Sequence, residues 1–534
     1  MFKEFFAAVK NFLSYGILLK NADRDGVTPS CFVRNLFIIL SLYVFVLGIL
    51  FHAPLNIFYT FGAVNLFIVT SAFSLVVAPF VFEFREDFKG RCFFRSLVFL
   101  TGMSLILSAF ILVFKFFNSP VFRAEDYANF LPVKREKFQK IIVEQPQRIR
   151  KVTEEMAVMK ANKIMGREIN GTQLSTQYEL AKPSIIVYKN KEYWIFPLKY
   201  SGFFKWIAND SVPGYILVNA TEPYKDPVFV KKPYKITANY FNTDIGLIAQ
   251  FLTGFSPKYI HFEINEKGDP YWIVTKYGYG ILFNLYDVSK VYAVNALSGK
   301  VSEITNSDGK IKKNFKWVDK IIGEKVNREY IENYGKYSKG FLNYLFVGKN
   351  VNVPSTKDLW LIETKIGKLG WFTGMTSTSK KDNSLNYMAV TKADSVKPVL
   401  YVIQNVQGVT DENGAVEAIN NALGANSIKW EAKLAMPFII NKKFYWVASI
   451  VSQNGYYVKE GAVKGNNITQ VYIDDSLEKI IKDITALNTK NETGKNIAAA
   501  ESSTIKKYSK KEILNQIQKI EGELNRLKRM VNGQ

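Results

Sequence analysis

Three long apolar runs lie between residues 35 and 118, and they constrain the chain more than any other feature. Leu36–Phe51 reads LFIILSLYVFVLGILF without a charge. Phe61–Phe82 has Asn65 and Pro79 as its only awkward residues, and Ser96–Phe114 ends against Lys115, whose long stem can snorkel to an interface. Crossing a bilayer takes about 20 apolar residues, and each run approaches that length with its flanks. A buried core helix imitates one such run; three in succession predict three transmembrane helices over 35–118. The first run begins too deep for a cleaved signal peptide, and no small-residue cleavage site follows it. The segment 1–34, opening with FKEFFAAVKNFL, predicts an amphipathic helix on the inner leaflet.

Lysine and arginine in the short connections set the expected orientation. Lys3, Lys10, Lys20, Arg24 and Arg34 precede the first run, His52–Thr60 carries none, and Arg85, Lys89, Arg91 and Arg95 precede the third. The expectation is a multi-pass protein of the plasma (inner) membrane, N-terminus in the cytoplasm and the large C-terminal region outside it. In a phage-encoded chain the membrane would be the host's. Lys134, Arg135, Lys137 and Lys140 follow the third run closely and cut against this, but long domains are exported with little regard to charge.

The net charge of +23 divides as +4 over residues 1–118 (ten Lys and Arg, six Asp and Glu) and +19 over the rest. A diffuse basic surface attracts nucleic acid, anionic lipid or an acidic wall polymer. Without an Arg-rich block, a solvated lysine surface is the simpler account, and nucleic acid is not an expected partner. The two cysteines, Cys31 and Cys92, both flank apolar runs. The large region therefore has no disulfide framework and no cysteine zinc site. No metal or cofactor is expected.

Beyond residue 118 the chain alternates helical patterns with short β-rich runs. Ile149, Val152, Met156 and Met159 share one helical face over 147–165, with Gly166 as the expected C-cap. Ser184–Tyr188, a turn at Asn190-Lys191 and Tyr193-Trp194-Ile195-Phe196 follow, then Gly214–Asn219. The same grammar recurs as a helix over 244–252 capped by Asn242, a strand over 259–264, a turn at 267–269 and Tyr271-Trp272-Ile273. It returns over 415–423, 437–440 and Tyr445-Trp446-Val447, with a partial copy over 361–390 around Gly370-Trp371-Phe372. This predicts tandem α+β modules of helix on antiparallel sheet, over 119–225, 226–345 and 346–486.

The stretch Val291-Tyr292-Ala293-Val294-Asn295-Ala296-Leu297-Ser298-Gly299-Lys300-Val301 resembles the strand–turn–strand ending of PepSY-type modules, which have a cystatin-like helix-on-sheet fold. Tyr193-Trp194, Gly214-Tyr215, Phe262-Glu263-Ile264, Pro270-Tyr271-Trp272, Trp317-Val318-Asp319 and Thr373-Gly374-Met375-Thr376-Ser377 extend the pattern. It resembles a family of bacterial and phage membrane proteins with N-terminal membrane helices. The resemblance implies location and fold rather than a reaction.

After Thr485 the polar stretch NTKNETGKNIAAAESS reads as a linker over 487–504. Over 505–534, Ile513, Ile517, Ile520, Leu524, Leu527 and Val531 form an a/d seam. This predicts a C-terminal coiled-coil helix, either self-associating into a homo-oligomer or docking on its own chain.

Chemistry-bearing residues are sparse. His261 and Glu263, two apart on a strand, share a face, and Asp269 lies in the adjoining turn. The three are the candidate acid/base or metal cluster, set against a satisfied strand histidine beside a structural carboxylate. No G-x-S-x-G, H-E-x-x-H, P-loop or G-x-G-x-x-G is present. The repeated Tyr-Trp pairs suggest a stacking platform, but their recurrence at one place in each module marks hairpin core. The expected function is a non-enzymatic, membrane-anchored binding or scaffold protein for an envelope protein or anionic polymer, besides the lipid bilayer. The rivals are an oligomeric pore or secretion-machine component, and an envelope hydrolase using Glu263 and Asp269.

Overall fold

The computed structural model describes residues 88–487 apart from positions 170–171, 281–283, 307–309, 380–382 and 407, together with His52, Pro54 and Gly522. Helix α1, Phe88–Phe117, is the third apolar run extended toward its N-terminus. Its segment Phe99–Phe117 has a mean hydropathy of 2.0, and by length and composition it can cross a membrane. This corrects the expected fold class. Among the described residues one helix, not three, meets that requirement, and the remainder is dominated by antiparallel sheets. The first two apolar runs, the amphipathic segment 1–34, the linker beyond Leu487 and the expected coiled-coil helix lie outside the described residues.

After α1 the chain turns through α2, Pro120–Ala128, into strand β1, Val133–Lys137. Four copies of one unit follow. The first comprises α3 (Glu154–Met165), β2 (Ser184–Tyr188), β3 (Lys191–Tyr200), β4 (Tyr215–Asn219) and β5 (Val228–Val230). The second is α4 (Ile245–Thr253), β6 (Lys258–Ile264), β7 (Pro270–Gly280), β8 (Leu285–Asn295) and β9 (Val301–Glu303). The third is α5 (Glu324–Tyr337), β10 (Asn352–Pro354), β11 (Trp360–Thr364), β12 (Gly367–Ser377), β13 (Tyr387–Lys392) and β14 (Leu400–Gln404). The fourth is α6 (Glu412–Ala422), β15 (Trp430–Ile440), β16 (Lys443–Ser452), β17 (Tyr457–Lys464) and β18 (Asn467–Asp474). Each sheet is an antiparallel meander, the third extended by β10 and by β1, which pairs parallel with β14. The third helix begins at Glu324, within the span expected for the second module, and the span 346–486 holds strands of two copies.

A tryptophan clamp recurs in all four copies. On the second hairpin strand, Trp194, Trp272, Trp371 and Trp446 stand opposite Ile185, Phe262, Leu361 and Pro437. Each indole N–H donates at 2.8–2.9 Å to a carbonyl of the segment leading into its helix, on Val152, Ile322 and Thr410 directly ahead of it and on Ile236 before the 3₁₀ turn that precedes α4. The same pre-helix segment donates backbone N–H groups to a small residue just past the third meander strand. Val152 and Ile236 reach Ala220 and Ala296, Ile321 reaches Ala393, and Thr410 reaches Gly465. An indole is large enough to fill the gap between helix and sheet, and its buried N–H must find an acceptor. The pre-helix carbonyl supplies one and ties the segment leading into the helix to the sheet.

This docking explains where helix ends depart from expectation. Pro146–Arg148 is a 3₁₀ turn and 149–152 is extended, so α3 starts at Glu154 under the Thr153 cap. Ile149 and Val152 fit a helical pattern because the extended segment is itself buried. Gly166 is the C-cap of α3 as expected, in right-handed geometry at φ −75°, whereas Gly254 ends α4 left-handed at φ 58°. Asp244, not Asn242, caps α4, its carboxylate accepting from Gly246 and Leu247 N–H.

The four copies share the compact unit that ends at Asp475, and Ser476–Gln534 is a second unit. Ion pairs and hydrogen bonds at the seams join the copies. Arg148 pairs with Glu363 and Lys151 with Glu460, while Glu412 accepts from Gly374 N–H and Ser355 Oγ–H. The foot of α1 is tied to the same body. Asn284 Nδ2 donates to the Lys115 carbonyl at 2.9 Å, and Tyr127 Oη donates to the Asn118 carbonyl at 3.0 Å.

Candidate functional site

Strand β6 carries His261 and Glu263 inward together, and His261 Nε2 lies 2.7 Å from Glu263 Oε1. Asp269 is elsewhere: it bonds Asn265 in its own turn and pairs with Lys232 at 2.6 Å, half in solvent. The third member of the cluster comes instead from the segment leading into α5. Asp319 and Lys320 N–H groups donate to the two oxygens of Glu263 at 2.9 and 3.1 Å. Lys320 Nζ reaches back into the first copy, donating to Ser184 Oγ and the Ile185 carbonyl. Asp319 accepts from Val187 N–H and pairs with Lys368 of the third copy at 2.9 Å.

Burial governs the electrostatics of this cluster. Loss of water pushes Glu263 and Asp319 up to about 7, with Lys320 and Lys368 nearby pulling the other way. The same loss of water lowers Lys320 to about 8 and holds His261 well below its ordinary value. Perturbed groups of this kind mark catalytic sites when they line a cleft. Here His261 is 6 % exposed, Glu263 and Asp319 1 %, and Lys320 3 %. A substrate has no access to them, so the arrangement joins copies one, two and three. Among the described residues no group of three or more His, Cys, Asp and Glu side chains is placed to hold a metal ion.

A roomier site lies where the C-terminal end of α5 meets α2 and the β1–β14–β13 side of the third sheet. It is an open, predominantly polar cleft with a volume of about 900 Å³. Amides dominate its wall: Asn129, Asn350, Asn352, Asn386, Gln404 and Asn405. Asn386 Nδ2 donates to Asn352 Oδ1 at 2.6 Å, which fixes the orientation of both amides. Tyr334 and Tyr337 add ring faces, Arg135 and Lys339 positive charge, and Glu125 a single carboxylate. Tyr387 Oη in this wall, and Nδ2 of Asn333 next to Tyr334 in the chain, are buried without a hydrogen-bond partner among the described residues. Burial holds the Tyr387 phenol far above its ordinary value, so it stays a neutral donor.

No local pattern of residues marks this cleft. Its residues come from five separate segments, and single asparagines in loops carry no motif. The expected cluster, by contrast, was half visible, because strand alternation pairs His261 with Glu263. Asp319 and Lys320 escaped because adjacent opposite charges read as solvated surface. Comparison with protein-family models and with curated proteins finds no match.

Proposed function

We propose that this chain is a membrane-anchored, non-enzymatic binding protein whose polar cleft holds a hydroxyl-rich, anionic envelope polymer. The observation that carries the reading is the cleft's lining. Six amides offer donors and acceptors together, two tyrosine rings offer faces for the C–H surface of a sugar or polyol, and Arg135 and Lys339 face its negative groups. The four-copy body supports a binding role because the strongly perturbed carboxylates are sealed in its seams, away from any substrate.

Support for anchoring comes from α1, which by length and composition can cross a bilayer. Arg85, Lys89, Arg91 and Arg95 lie within 15 residues before Phe99, against Arg123 alone in the 15 after Phe117. Positive charge on the N-terminal side holds that end in the cytoplasm and the four copies on the outer face. The resemblance to PepSY-type modules agrees with an extracytoplasmic body.

Calorimetric titration of the detergent-solubilised chain with a polyol-phosphate oligomer tests the assignment. Binding that is lost in Asn386→Ala/Gln404→Ala and weakened by salt is expected. Equal binding by wild type and variant, or none by wild type, removes the cleft from consideration.

A further inference from the structure

Directly after α5 the chain makes a turn that ordinary burial does not explain. Phe341–Leu342 continues into a π-helical turn, Asn343–Val347, ending at Gly348 in the left-handed region at φ 68°. Its apolar side chains point outward: Leu342 is 68 % exposed, Leu345 54 %, Phe346 76 % and Val347 69 %. A run of this kind on a folded body marks an interaction surface.

Position and charge together say what covers it. Tyr344 packs edge-on against Tyr337 at 5.3 Å between centroids, and Tyr337 packs edge-on against Tyr127 at 6.2 Å. Tyr127 is the residue whose hydroxyl is bonded to the Asn118 carbonyl at the end of α1. The aromatic lane thus runs from the foot of the apolar helix to the turn. Around the same foot Phe116, Phe117 and Phe122 pack on one another while remaining more than half exposed. From Asn333 to Lys357 there is no acidic residue, and Lys336, Lys339, Lys349 and Lys357 flank the turn. Exposed Leu, Phe and Val beside tyrosines and lysines match the composition of segments that lie at the headgroup boundary.

We propose that the turn 341–347 is a second membrane contact, dipping into the outer surface of the bilayer that α1 crosses. This rests on the reading of α1 as a membrane anchor. The contact would seat the body against the lipid and keep the polar cleft, which shares Tyr337, Lys339 and Gly340 with the turn's approach, close to the membrane surface.

The test uses the full chain with Cys31→Ser and Cys92→Ser, carrying one cysteine at a time, Phe346→Cys, Leu345→Cys, Leu112→Cys or Ile428→Cys, labelled with an environment-sensitive dye. Each is reconstituted in vesicles of phosphatidylcholine and phosphatidylglycerol containing lipids spin-labelled shallow or deep in the acyl chain. Labels at 346 and 345 are expected to shift to the blue and be quenched by the shallow lipid. The label at 112 should be quenched by the deep one, and that at 428 by neither. Quenching at 112 with labels at 346 and 345 in water overturns the second contact and leaves the anchor standing. No quenching at 112 removes the anchor and the inference with it. A blue shift at 346 without lipid quenching means that a second copy of the chain covers the turn, and also overturns it.

Discussion

Replacing Trp446 by phenylalanine tests the recurring clamp at its most buried instance. Trp446 is 0 % exposed, packed edge-on against Phe372 and Phe444, with its indole N–H on the Thr410 carbonyl at 2.8 Å. Removing a buried hydrogen-bond donor costs about 1–3 kcal/mol. The smaller ring also leaves a void where nothing can collapse quickly, adding about 1–2 kcal/mol in transfer and cavity terms. The sum, about 2–5 kcal/mol, is a large fraction of the roughly 5–15 kcal/mol that holds a typical domain. Guanidinium titration of the detergent-solubilised chain, followed by circular dichroism, reads the loss. Trp317→Phe is the control, since its N–H bonds Asn314 three residues away at the surface. That change should cost under about 0.5 kcal/mol. Should Trp446→Phe cost no more than Trp317→Phe, the clamp would be refuted as the link between helix and sheet.

Three further perturbations have defined outcomes. Lys320→Met leaves Glu263 buried without its cation and should destabilise the body by about 3–5 kcal/mol, while the double change Lys320→Met/Glu263→Gln should recover much of it; a double-mutant cycle in denaturant measures both. Glu263 and Asp319 hold protons more tightly folded than unfolded, so their contribution is complete below the ordinary carboxylate range and is lost as pH rises through about 7. His261, held neutral by burial, works the other way, adding stability as pH rises through its ordinary value of about 6.5 in the unfolded chain. Two carboxylates outweigh one histidine, so stability should fall from about pH 5 to about pH 7.5, and less steeply in Glu263→Gln, as read from thermal melts across that window. In Gly335→Ala the new methyl meets the Asn352 carbonyl of β10 and the Met375 side chain, so α5 must lift from its sheet; a lower melting temperature with weaker polymer binding is expected.

How far the residues announced this architecture differs from element to element. Hairpins were legible, because Asn190-Lys191 and Lys267-Gly268-Asp269 punctuate runs of alternating large apolar residues. The tryptophans were legible as hairpin core. Their bond to the pre-helix carbonyl was not, since the partners lie 36–49 residues apart. The third copy was seen only in part. Its helix, α5, is polar by composition and separated from its hairpin by the exposed turn 341–347, so the span 324–337 merged with the preceding module. Lys151, Lys320 and Glu460 are charged residues in buried seams, where local pattern assigns solvent. Only contacts between copies explain them. The cleft stayed hidden for a related reason: amides become a binding wall only when five segments converge.

The nature of any partner depends on which face of the bilayer holds the four copies. A single cysteine at Ile428, 73 % exposed, in a chain carrying Cys31→Ser and Cys92→Ser, answers this in intact cells with a membrane-impermeant maleimide. Labelling of intact cells at the level reached after lysis is the expected result. Labelling that requires lysis would place the body in the cytoplasm and contradict an envelope polymer as its ligand.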